Sequence, residues 1–377
     1  MNYILVADDV LVNRKLMKSV LKKLKDVDFI DAANGIEALE VIKQREIDLV
    51  ILDLMMPDLD GFGFLEMIRE MPEHRDIPVI VSSALDDETS ISKALDLGAY
   101  DYFTKPLSPM QIKVTLPLKV KNALDSYHQK RRLSQLNSVM RQEMRIAGSF
   151  QNHLVPGNRE MGNAAMFAEY HPAIEVGGDF FDMEQVSDSI WFIIADVSGH
   201  GIASAMIASM IKVEFRAAIA DALSVSEVFT RMNVTFCSLL GDHYITAILG
   251  RIQGNHVSLV NAGHPNPYIY RSVNDTIETF EAGGKALAMF ADADSNEINL
   301  EIQAGDCLIL YTDGLVQGGY ARQGNLHGDR LLDAVLNNRH LLQKTPESFL
   351  KKVIAACGVR GTEDIEDDVA LMVIKFR

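Results

Sequence analysis

Apolar runs and amphipathic segments alternate regularly through the first 120 residues of the chain. Five short runs have the length and composition of buried strands, and segments with helical periodicity separate them. The runs are Tyr3–Ala7, Phe29–Asp31, Leu49–Leu52, Val79–Val81 and Ala99–Phe103, and the helical segments lie near 12–25, 35–45, 61–71, 87–97 and from 109 onward. This order predicts an α/β domain built on a doubly wound, five-stranded parallel sheet.

A helical segment is predicted next, because apolar side chains recur there at steps of three and four residues. They are Leu133, Leu136, Met140, Met144, Ala147, Phe150 and Leu154, with a mean step of 3.5. This spacing fits a surface helix that packs on its own domain, and it also fits a dimerising coiled coil. Pro117 predicts a kink or break between the last helix of the first domain and this linker helix, since proline removes a backbone hydrogen bond.

From about residue 160 the pattern changes to apolar strands separated by turns, with helices between them. The strands are Trp191–Ala195, Tyr244–Arg251, His256–Asn261, Tyr268–Arg271, Asp306–Tyr311 and Val369–Lys375, and the helices are Ala203–Leu223, Ser226–Leu239 and Pro346–Ala356. Such an order predicts an α+β layered sandwich. We therefore expect a first domain over 1–120, a helical linker over 121–158 and a second domain over 159–377.

Composition and charge narrow the possible functions. The 377 residues are 48% hydrophobic and 23% charged, which is ordinary for a soluble globular protein. Lys and Arg number 36 against 52 Asp and Glu, a net charge of −16 that repels phosphate backbones. Nucleic-acid binding is therefore not expected.

No apolar run approaches the ~20 residues that a membrane helix needs, and no signal peptide precedes the first strand. We accordingly expect a cytoplasmic protein with no membrane partner. Three cysteines are widely spaced along the chain. Cys237 and Cys307 lie in apolar runs and are expected in the core, as is the pair Met206 and Met210.

Acidic and hydroxyl residues follow the predicted strands of the first domain. Asp8 and Asp9 follow the first strand, Asp53 the third, Ser83 the fourth and Lys105 the fifth. These positions meet at one edge of a parallel sheet. Three carboxylates there cannot all stay ionised without a cation, so Mg²⁺ is expected. Asp53 could then accept a phosphoryl group while Lys105 neutralises the phosphoryl oxygens.

These residues resemble the receiver domain of two-component response regulators. The resemblance rests on Asp8-Asp9, Asp53-Leu-Met-Met-Pro57, Gly61, Ser83-Ala84, Tyr102 and Thr104-Lys105-Pro106. It implies that Asp53 is the phosphoacceptor and also a Mg²⁺ ligand. Asp8, Asp9 and the Met55 carbonyl would complete the Mg²⁺ site. Ser83 would be the switch hydroxyl, Tyr102 the switch aromatic and Lys105 the phosphate-contacting cation. A sensor histidine kinase is the implied partner.

Acidic residues also stand at strand ends in the second domain. Asp179 and Asp196 lie in the stretch Val176–Gly201, Asp313 follows an apolar strand, and Asp367-Asp368 precede the last strand. A carboxylate at a strand end beside small residues is held rigidly and can approach an ion closely. Four carboxylates and a backbone carbonyl suit a two-metal centre about 4 Å across that activates a water for attack on phosphorus.

This set resembles the SpoIIE-like branch of the metal-dependent, type 2C (PPM) serine/threonine protein phosphatases. The matching segments are Val176–Asp182, Ala195–Gly201, Asn261–Pro265, Tyr311–Gly314 and Asp367–Ala370. The resemblance implies that Asp196 bridges two Mn²⁺ or Mg²⁺ ions and that Asp179 and the Val197 carbonyl hold one of them. Asp313 and Asp367 would hold the other, with Asp368 as the alternative to Asp367. Ala370 departs from the hydroxyl residue that is usual in its place.

Three further residues have open roles. His200 and His264 are either general acids for the leaving seryl oxygen or loop residues that hydrogen-bond to backbone. Asp182 could support the metal ligands.

The segment Met144–Pro156 resembles the helix that precedes bacterial regulatory phosphatase domains, with Phe150-Gln151 and Leu154…Pro156 in place of the usual Ile-Gln…Leu-Pro pattern.

Together these features predict a response regulator whose phosphorylation state controls a protein phosphatase. Phosphorylation of Asp53 would rearrange the face around Ser83 and Tyr102, repack the linker helix and move Asp179 and Asp196. The resemblance implies a phosphoserine substrate on an anti-sigma-factor antagonist in a partner-switching stress pathway. The alternative is a non-catalytic adaptor that binds a sigma factor or another regulatory protein. A transcription factor is disfavoured by the charge and by the missing helix-turn-helix.

Overall fold

The computed structural model describes residues 1–84, 88–317, 328–359 and 365–377. The chain forms two compact units, Met1–Val139 and Met140–Arg377. Within the described ranges, no helix has the length and apolar character to cross a membrane.

The first unit is a parallel sheet with helices between its strands. The strands are β1 (Asn2–Ala7), β2 (Val27–Ala32), β3 (Leu49–Asp53), β4 (Val79–Ser83) and β5 (Asp101–Thr104), and the helices are α1 (Leu11–Leu21), α2 (Gly35–Gln44), α3 (Gly61–Glu70) and α4 (Glu88–Asp96). The strand order is β2-β1-β3-β4-β5, and every pairing is parallel. The doubly wound α/β fold predicted from the sequence is confirmed.

Both faces of this sheet are buried. In β3, Val50 and Leu52 enter one apolar core while Leu49 and Ile51 enter the other. Strands that helices cover on both faces need apolar residues at every position, which is why these runs lack polar alternation. The polar residues that follow β1 and that end β3 and β4 are consequently collected at the carboxyl edge of the sheet.

One helix, α5 (Leu116–Leu154), follows a π-helical turn at Gln111–Thr115. The predicted break at Pro117 is wrong, because α5 continues through this residue without interruption to Leu154. Pro117 is the second residue of α5, and only Leu116 separates it from the π turn. A proline ring breaks a regular α-helix by clashing with the carbonyl one turn back, and the wider π turn before Pro117 changes that spacing.

The apolar stripe predicted on this helix lies mainly in solvent. Leu133, Leu136, Met140, Ala147 and Phe150 are exposed. Met144 and Leu154 are half-buried. The interpretation in which this whole face packs on the chain's own domain therefore does not describe the structure.

The second unit contains two antiparallel sheets. Its strands are β6 (Arg159–Met161), β7 (Ala164–His171), β8 (Phe180–Val186), β9 (Ser189–Val197), β10 (Ile245–Gln253), β11 (His256–Ala262), β12 (Tyr268–Arg271), β13 (Thr276–Thr279), β14 (Glu297–Glu301), β15 (Cys307–Tyr311) and β16 (Val369–Phe376). One sheet has the order β14-β11-β10-β9-β8 and the other β13-β12-β15-β16-β7-β6. The helices are α6 (Ile202–Ile219), α7 (Val225–Leu239), α8 (Gly314–Gln317), α9 (Gly328–Asn338) and α10 (Pro346–Ala356), with a 3₁₀ turn at Arg339–Leu341.

Three apolar cores divide this unit into layers. The middle core lies between the sheets and includes Phe192 and Met372. A second core packs α6 and α7 on the sheet that contains β9, and a third packs α9 and α10 on the sheet that contains β15. The predicted α+β layered sandwich is confirmed. It places the ends of β8, β9, β15 and β16 where their acidic residues can meet.

Side-chain burial corrects one prediction and refines another. Met206 and Met210 were expected in the core, but they are 64% and 36% exposed. Helix α6 is apolar on nearly all sides, so its sequence does not reveal that Ile207 and Ile211 form the buried face. Cys307 is buried as expected, whereas Cys237 is only half-buried.

Candidate phosphoacceptor and metal sites

The acidic residues at the edge of the first sheet surround one lysine. Lys105 Nζ lies 2.6 Å from Asp8 Oδ2 and 2.9 Å from Asp53 Oδ2. Carboxylate oxygens of Asp8, Asp9 and Asp53 all lie within 4.8 Å of one another. Burial raises the pKa of Asp53, Lys105 opposes this increase, and the charge of Asp8 adds to it. Three oxygen ligands so close together fit a hard divalent cation such as Mg²⁺.

The surrounding backbone fixes these carboxylates. Asp8 Oδ1 accepts hydrogen bonds from the Val10 N–H at 2.9 Å and the Asn13 amide at 3.1 Å. A Cβ atom on Gly61 would lie 2.4 Å from the carbonyl oxygen of Asp53. Only glycine therefore lets the first turn of α3 pack so closely against the end of β3.

The other predicted receiver residues lie on strands further along the sheet. Ser83 ends β4, the neighbour of β3, and its carbonyl accepts the Lys105 N–H at 2.8 Å. Tyr102 is half-buried on β5, with Lys119 Nζ 5.5 Å from its ring centroid. Met55 exposes its side chain and follows Asp53 by two residues. The structure thus brings Asp8, Asp9, Asp53 and Lys105 into one cluster, with Ser83 beside it.

In the second unit, Asp179 is the most buried of the acidic residues predicted as ligands. It directly precedes β8 and is 1% exposed. Its Oδ2 accepts a hydrogen bond from Thr312 Oγ1 at 2.7 Å, while Oδ1 is buried without a partner in the described part of the chain. Burial raises the pKa of Asp179 well above its usual range, and Asp196 adds to the effect. A buried carboxylate with an unpaired oxygen fits a cation ligand.

Four more acids influence one another nearby. Burial raises the pKa of Asp196 to about 7, and the charges of Asp313, Asp367 and Asp368 contribute. Burial and the charge of Asp367 likewise raise the pKa of Asp313. Among described residues, only the trio in the first unit brings three carboxylates within 4.8 Å, so this second set is more widely spaced. Wider spacing is compatible with two ions that share ligands.

The predicted carbonyl ligand lies beside Asp179. A Cβ atom on Gly178 would be 3.0 Å from the Val197 carbonyl oxygen, which therefore lies against the residue preceding Asp179. Asp196 is paired with Thr246 in the β9–β10 register. The ends of β8 and β9 thus place Asp179, Asp196 and the Val197 carbonyl in one region of the unit.

Asp367 and Asp368 have different environments. Asp368 is buried, and its two oxygens accept backbone N–H groups of Ala173 at 2.8 Å and Gly178 at 2.5 Å. A Cβ atom on Gly177 would lie 2.4 Å from Asp368 Oδ2, so glycine is required there. Asp367 is half-buried and accepts the backbone N–H of Asp368 at 2.9 Å. Asp368 therefore anchors the segment that leads into Asp179.

Comparison with known proteins agrees with this geometry. The family described as Stage II sporulation protein E (SpoIIE) matches residues 187–377, and the response regulator receiver domain matches residues 4–116. The chain belongs to the SpoIIE family. Its second unit is a SpoIIE-type PPM phosphatase domain, and its first unit is a receiver domain.

Individual relatives match parts of the chain. A probable transcriptional regulator ycf27 from Porphyridium aerugineum is 40% identical over 113 residues, which are 30% of this chain and 45% of that protein. The RsbU and RsbW domains of a Mycobacterium tuberculosis protein align with a TM-score of 0.51 and 22% identity, over 59% of this chain and 61% of that one. The SiaA-PP2C domain of Pseudomonas aeruginosa aligns with a TM-score of 0.53 and 18% identity, over 64% of this chain and 99% of that one.

The chain spans less than half the length of the first relative. The two structural neighbours have low sequence identity and therefore support the fold of the SpoIIE-type domain. This fold agrees with the family match, and the two family matches together show a receiver domain fused to a PP2C-like phosphatase domain.

The SpoIIE-type site contains residues that the sequence did not single out. Thr312 donates to Asp179 and also accepts the Ala370 N–H at 2.8 Å. The Ala370 backbone thus supports the site although its side chain lacks a hydroxyl. The Tyr170 hydroxyl is buried, and a Cβ atom on Gly177 would lie 2.2 Å from it. The sequence does show hydroxyl residues beside the acidic motifs. It does not show which residues they contact, because those partners are distant in sequence.

The histidines of the SpoIIE-type domain differ in burial. His264 is buried, its Nδ1 lies 2.9 Å from Thr246 Oγ1, and its backbone N–H and C=O both bond to the Asn261 side chain. Burial lowers the pKa of His264 to about 3, so its ring is neutral near pH 7 and cannot donate a proton as imidazolium. This favours the interpretation in which His264 is a loop residue held by hydrogen bonds and not a general acid. His200 is exposed.

Asp182 is fully buried and lies 3.1 Å from Arg159 and 3.0 Å from Lys212. The same Lys212 ammonium donates to the Leu154 carbonyl at 2.6 Å. Asp182 thus links β8, α6 and the end of α5. Two basic partners neutralise its charge, which leaves it a structural role in the SpoIIE-type domain.

The end of α5 also contacts the segment before Asp179. The Gln151 side chain donates to the Gly177 carbonyl at 2.5 Å and accepts the Gly177 N–H at 3.1 Å. A Cβ atom on Gly148 would lie 2.1 Å from the Glu175 carbonyl oxygen, so helix and segment are in close contact. The segment from 173 to 178 is therefore held by Gln151 on one side and by Asp368 on the other.

Proposed function

We propose that the chain is a response regulator whose SpoIIE-type domain is a divalent-metal-dependent phosphatase acting on phosphoserine or phosphothreonine in proteins. The observation that carries this proposal is Asp179, a buried carboxylate that has one unpaired oxygen and whose pKa is raised by burial and by the charge of Asp196. Such an arrangement is costly without a bound cation, because burial disfavours ionised carboxylates.

The proposed metal ligands are those expected from the sequence. Asp179, Asp196 and the Val197 carbonyl would hold one ion, and Asp196, Asp313 and Asp367 the other. Two Mn²⁺ or Mg²⁺ ions, when bound, supply positive charge for the phosphate group and lower the pKa of water. The chain itself orients Asp179 through Thr312 and anchors the preceding segment through Asp368. Rigid placement of ligands is the protein's contribution to such a site.

In the receiver domain, we propose that Asp53 accepts the phosphoryl group from a sensor histidine kinase. Asp8, Asp9, Asp53 and the Met55 carbonyl would hold Mg²⁺ there. Lys105 already contacts Asp53 and would remain to neutralise the added phosphoryl oxygens. Ser83 and Tyr102 would respond to the phosphoryl group by changing their positions, as expected from the resemblance to receiver domains.

We propose that α5 carries this change to the phosphatase site. Within the first unit, Lys130 and Arg131 of α5 pair with Asp76 and Glu46. Within the second unit, Gln151 of the same helix bonds to Gly177, two residues before Asp179. A rotation or shift of α5 would therefore act on a metal ligand through a single short segment.

The exposed stripe of Leu133, Leu136, Met140 and Phe150 supports homodimer formation through α5. Apolar side chains at this spacing are stabilised when a second helix covers them. The mass of the purified chain in solution, with and without beryllofluoride, tests this part of the proposal. A monomeric mass in both states contradicts it.

The proposed substrate is a phosphoserine on an anti-sigma-factor antagonist, and its dephosphorylation would act in a partner-switching pathway. Membership of the SpoIIE family supports this choice. The test combines the purified chain, Mn²⁺ and a phosphorylated antagonist, with p-nitrophenyl phosphate as a second substrate.

We expect Mn²⁺-dependent release of phosphate, and a loss of at least about 10³-fold in kcat for Asp196→Ala. Equal activity of Asp196→Ala and the unaltered chain contradicts the proposed metal site. A folded chain that hydrolyses neither substrate with any divalent ion, yet binds a sigma factor, supports the adaptor interpretation instead.

A further inference from the structure

A cavity of about 410 Å³ opens beside Asp313 in the second unit. Its walls include Thr246, His264, Asn266, Gly283 and Gly284. This volume lies within the range of ~300–1,000 Å³ that is usual for ligand pockets. Apart from Asp313, none of these residues belongs to the proposed metal site.

Hydrogen bonds and close packing make the walls rigid. Asn266 Oδ1 accepts the Ala282 N–H at 3.1 Å, which joins the two loops that line the cavity. A Cβ atom on Gly284 would lie 1.9 Å from the Asn261 carbonyl oxygen, so the second loop packs against the backbone of β11. The cavity therefore exists before any ligand enters it, as is usual for binding sites.

The side chains of the cavity walls indicate its occupant. Among the described wall residues there is no lysine or arginine that could pair with a phosphate group. Asp313 belongs to the proposed metal site, and His264 Nδ1 lies 2.9 Å from Thr246 Oγ1. The remaining walls offer backbone groups, a hydroxyl and an amide, which suit an uncharged stretch of polypeptide.

Two wall residues connect the cavity to the proposed metal site. Asp313 forms part of its wall, and Thr246 in the wall is paired with Asp196 in the β9–β10 register. A substrate whose phosphate lay among the carboxylates would have its neighbouring residues within reach of this cavity.

We propose that this cavity binds the polypeptide residues that flank the phosphoserine of the substrate and thereby helps to determine which phosphoproteins are dephosphorylated. The proposal rests on the phosphatase activity proposed above. Gly283 is its specificity-determining position, because it lines the cavity and, apart from its chain neighbours, no described residue has an atom within 4 Å of where its Cβ would be. A side chain there enters open space at the cavity wall, so it can obstruct the cavity without displacing its walls.

The test compares Gly283→Ala and Gly283→Leu with the unaltered chain. Gly157→Leu is the matched control, because Gly157 also has open space around its Cβ position and does not line the cavity. The probes are short phosphoserine peptides with different flanking residues and p-nitrophenyl phosphate, which has no flanking polypeptide. Melting temperature and Mn²⁺ affinity by calorimetry verify that each variant is folded and binds metal.

We expect Gly283→Leu to lower kcat/KM for the peptides about tenfold or more, mainly through KM, and Gly283→Ala to have a smaller effect. The kcat/KM of the Gly283 variants for p-nitrophenyl phosphate should stay within about twofold of that of the unaltered chain, a difference of ~0.4 kcal/mol or less. The control variant should stay within the same limits.

Unchanged peptide kinetics in Gly283→Leu overturn the proposal. An equal loss with peptides and p-nitrophenyl phosphate also overturns it, because the cavity would then serve the chemistry itself. Hydrolysis of p-nitrophenyl phosphate without any peptide hydrolysis by the unaltered chain rejects the cavity proposal alone. Failure with both substrates rejects the phosphatase activity and the cavity proposal together.

Discussion

The hydroxyl group of Thr312 donates a 2.7 Å hydrogen bond to Oδ2 of Asp179 across 133 residues of sequence. The same hydroxyl accepts the Ala370 N–H at 2.8 Å. Thr312 follows β15, Asp179 precedes β8 and Ala370 belongs to β16, so one side chain joins the ends of three strands. Removing it should affect both the fold and the proposed metal site.

Thr312→Val should weaken Mn²⁺ binding by about 10–100-fold, because residues that orient a metal ligand have effects of this size. It should also destabilise the second unit by ~1–3 kcal/mol, since Asp179 loses its hydrogen bond while remaining buried. Calorimetric titration and urea unfolding measure the two effects. Thr312→Ser keeps the hydroxyl and should retain most of both properties. Unchanged Mn²⁺ affinity in Thr312→Val contradicts the orienting role.

Asp367→Asn and Asp368→Asn should separate metal binding from stability. Asp368→Asn replaces one carboxylate oxygen with an NH₂ group, which cannot accept the Ala173 or Gly178 N–H. We expect a loss of ~1–3 kcal/mol in the free energy of unfolding. Asp367→Asn should leave that free energy nearly unchanged but weaken Mn²⁺ binding at least about tenfold. Urea unfolding without metal and calorimetric titration distinguish the variants, and the reverse pattern would assign the direct ligand to Asp368.

The metal-free protein should lose stability as the pH rises from 5 to 8. The folded-state pKa of Asp196 is about 7, above its ordinary value of 3.8. Between pH 3.8 and about 7, Asp196 keeps its proton in the folded protein but has lost it in the unfolded chain. Raising the pH through this interval therefore favours unfolding. We expect the melting temperature of the second unit to fall by roughly 5–10 °C.

Added Mn²⁺ should restore the melting temperature at pH 8 more than at pH 5, since the ion binds ionised carboxylates. Scanning calorimetry with and without a chelator provides this comparison. Asp196→Asn is the matched control, because it cannot ionise and should have a weaker pH dependence. A melting temperature that rises with pH in the absence of metal would contradict the prediction.

Gln151→Ala should uncouple the two domains. It removes both hydrogen bonds to Gly177 and leaves every proposed metal ligand in place. Beryllofluoride should change the phosphatase activity of the unaltered chain, and this change should be lost in Gln151→Ala and in Asp53→Asn. Gln135→Ala is the matched control, because Gln135 is an exposed residue of the same helix. An unchanged response in Gln151→Ala would place the coupling elsewhere.

Local sequence determined the elements of this protein and the positions of its acidic residues along the chain. Short apolar runs separated by amphipathic segments specify a parallel sheet, because helices must cover both of its faces. Asp8, Asp53 and Lys105 could be assigned to one edge, since all parallel strands end on the same side. The acids of the second domain could be placed at strand ends by the same kind of pattern.

Only the tertiary structure decided which side chains meet. Thr312 and Asp179 are joined by the stacking of two sheets, and no local period encodes that contact. Asp367 and Asp368 have the same chemistry, yet only Asp368 is close to the backbone of Ala173 and Gly178. Met206 and Ile207 are both apolar neighbours on α6, and the sheet beneath the helix decides which of them is buried. Packing between elements far apart in the chain determines these contacts, and the periodicity of apolar residues along the chain does not encode them.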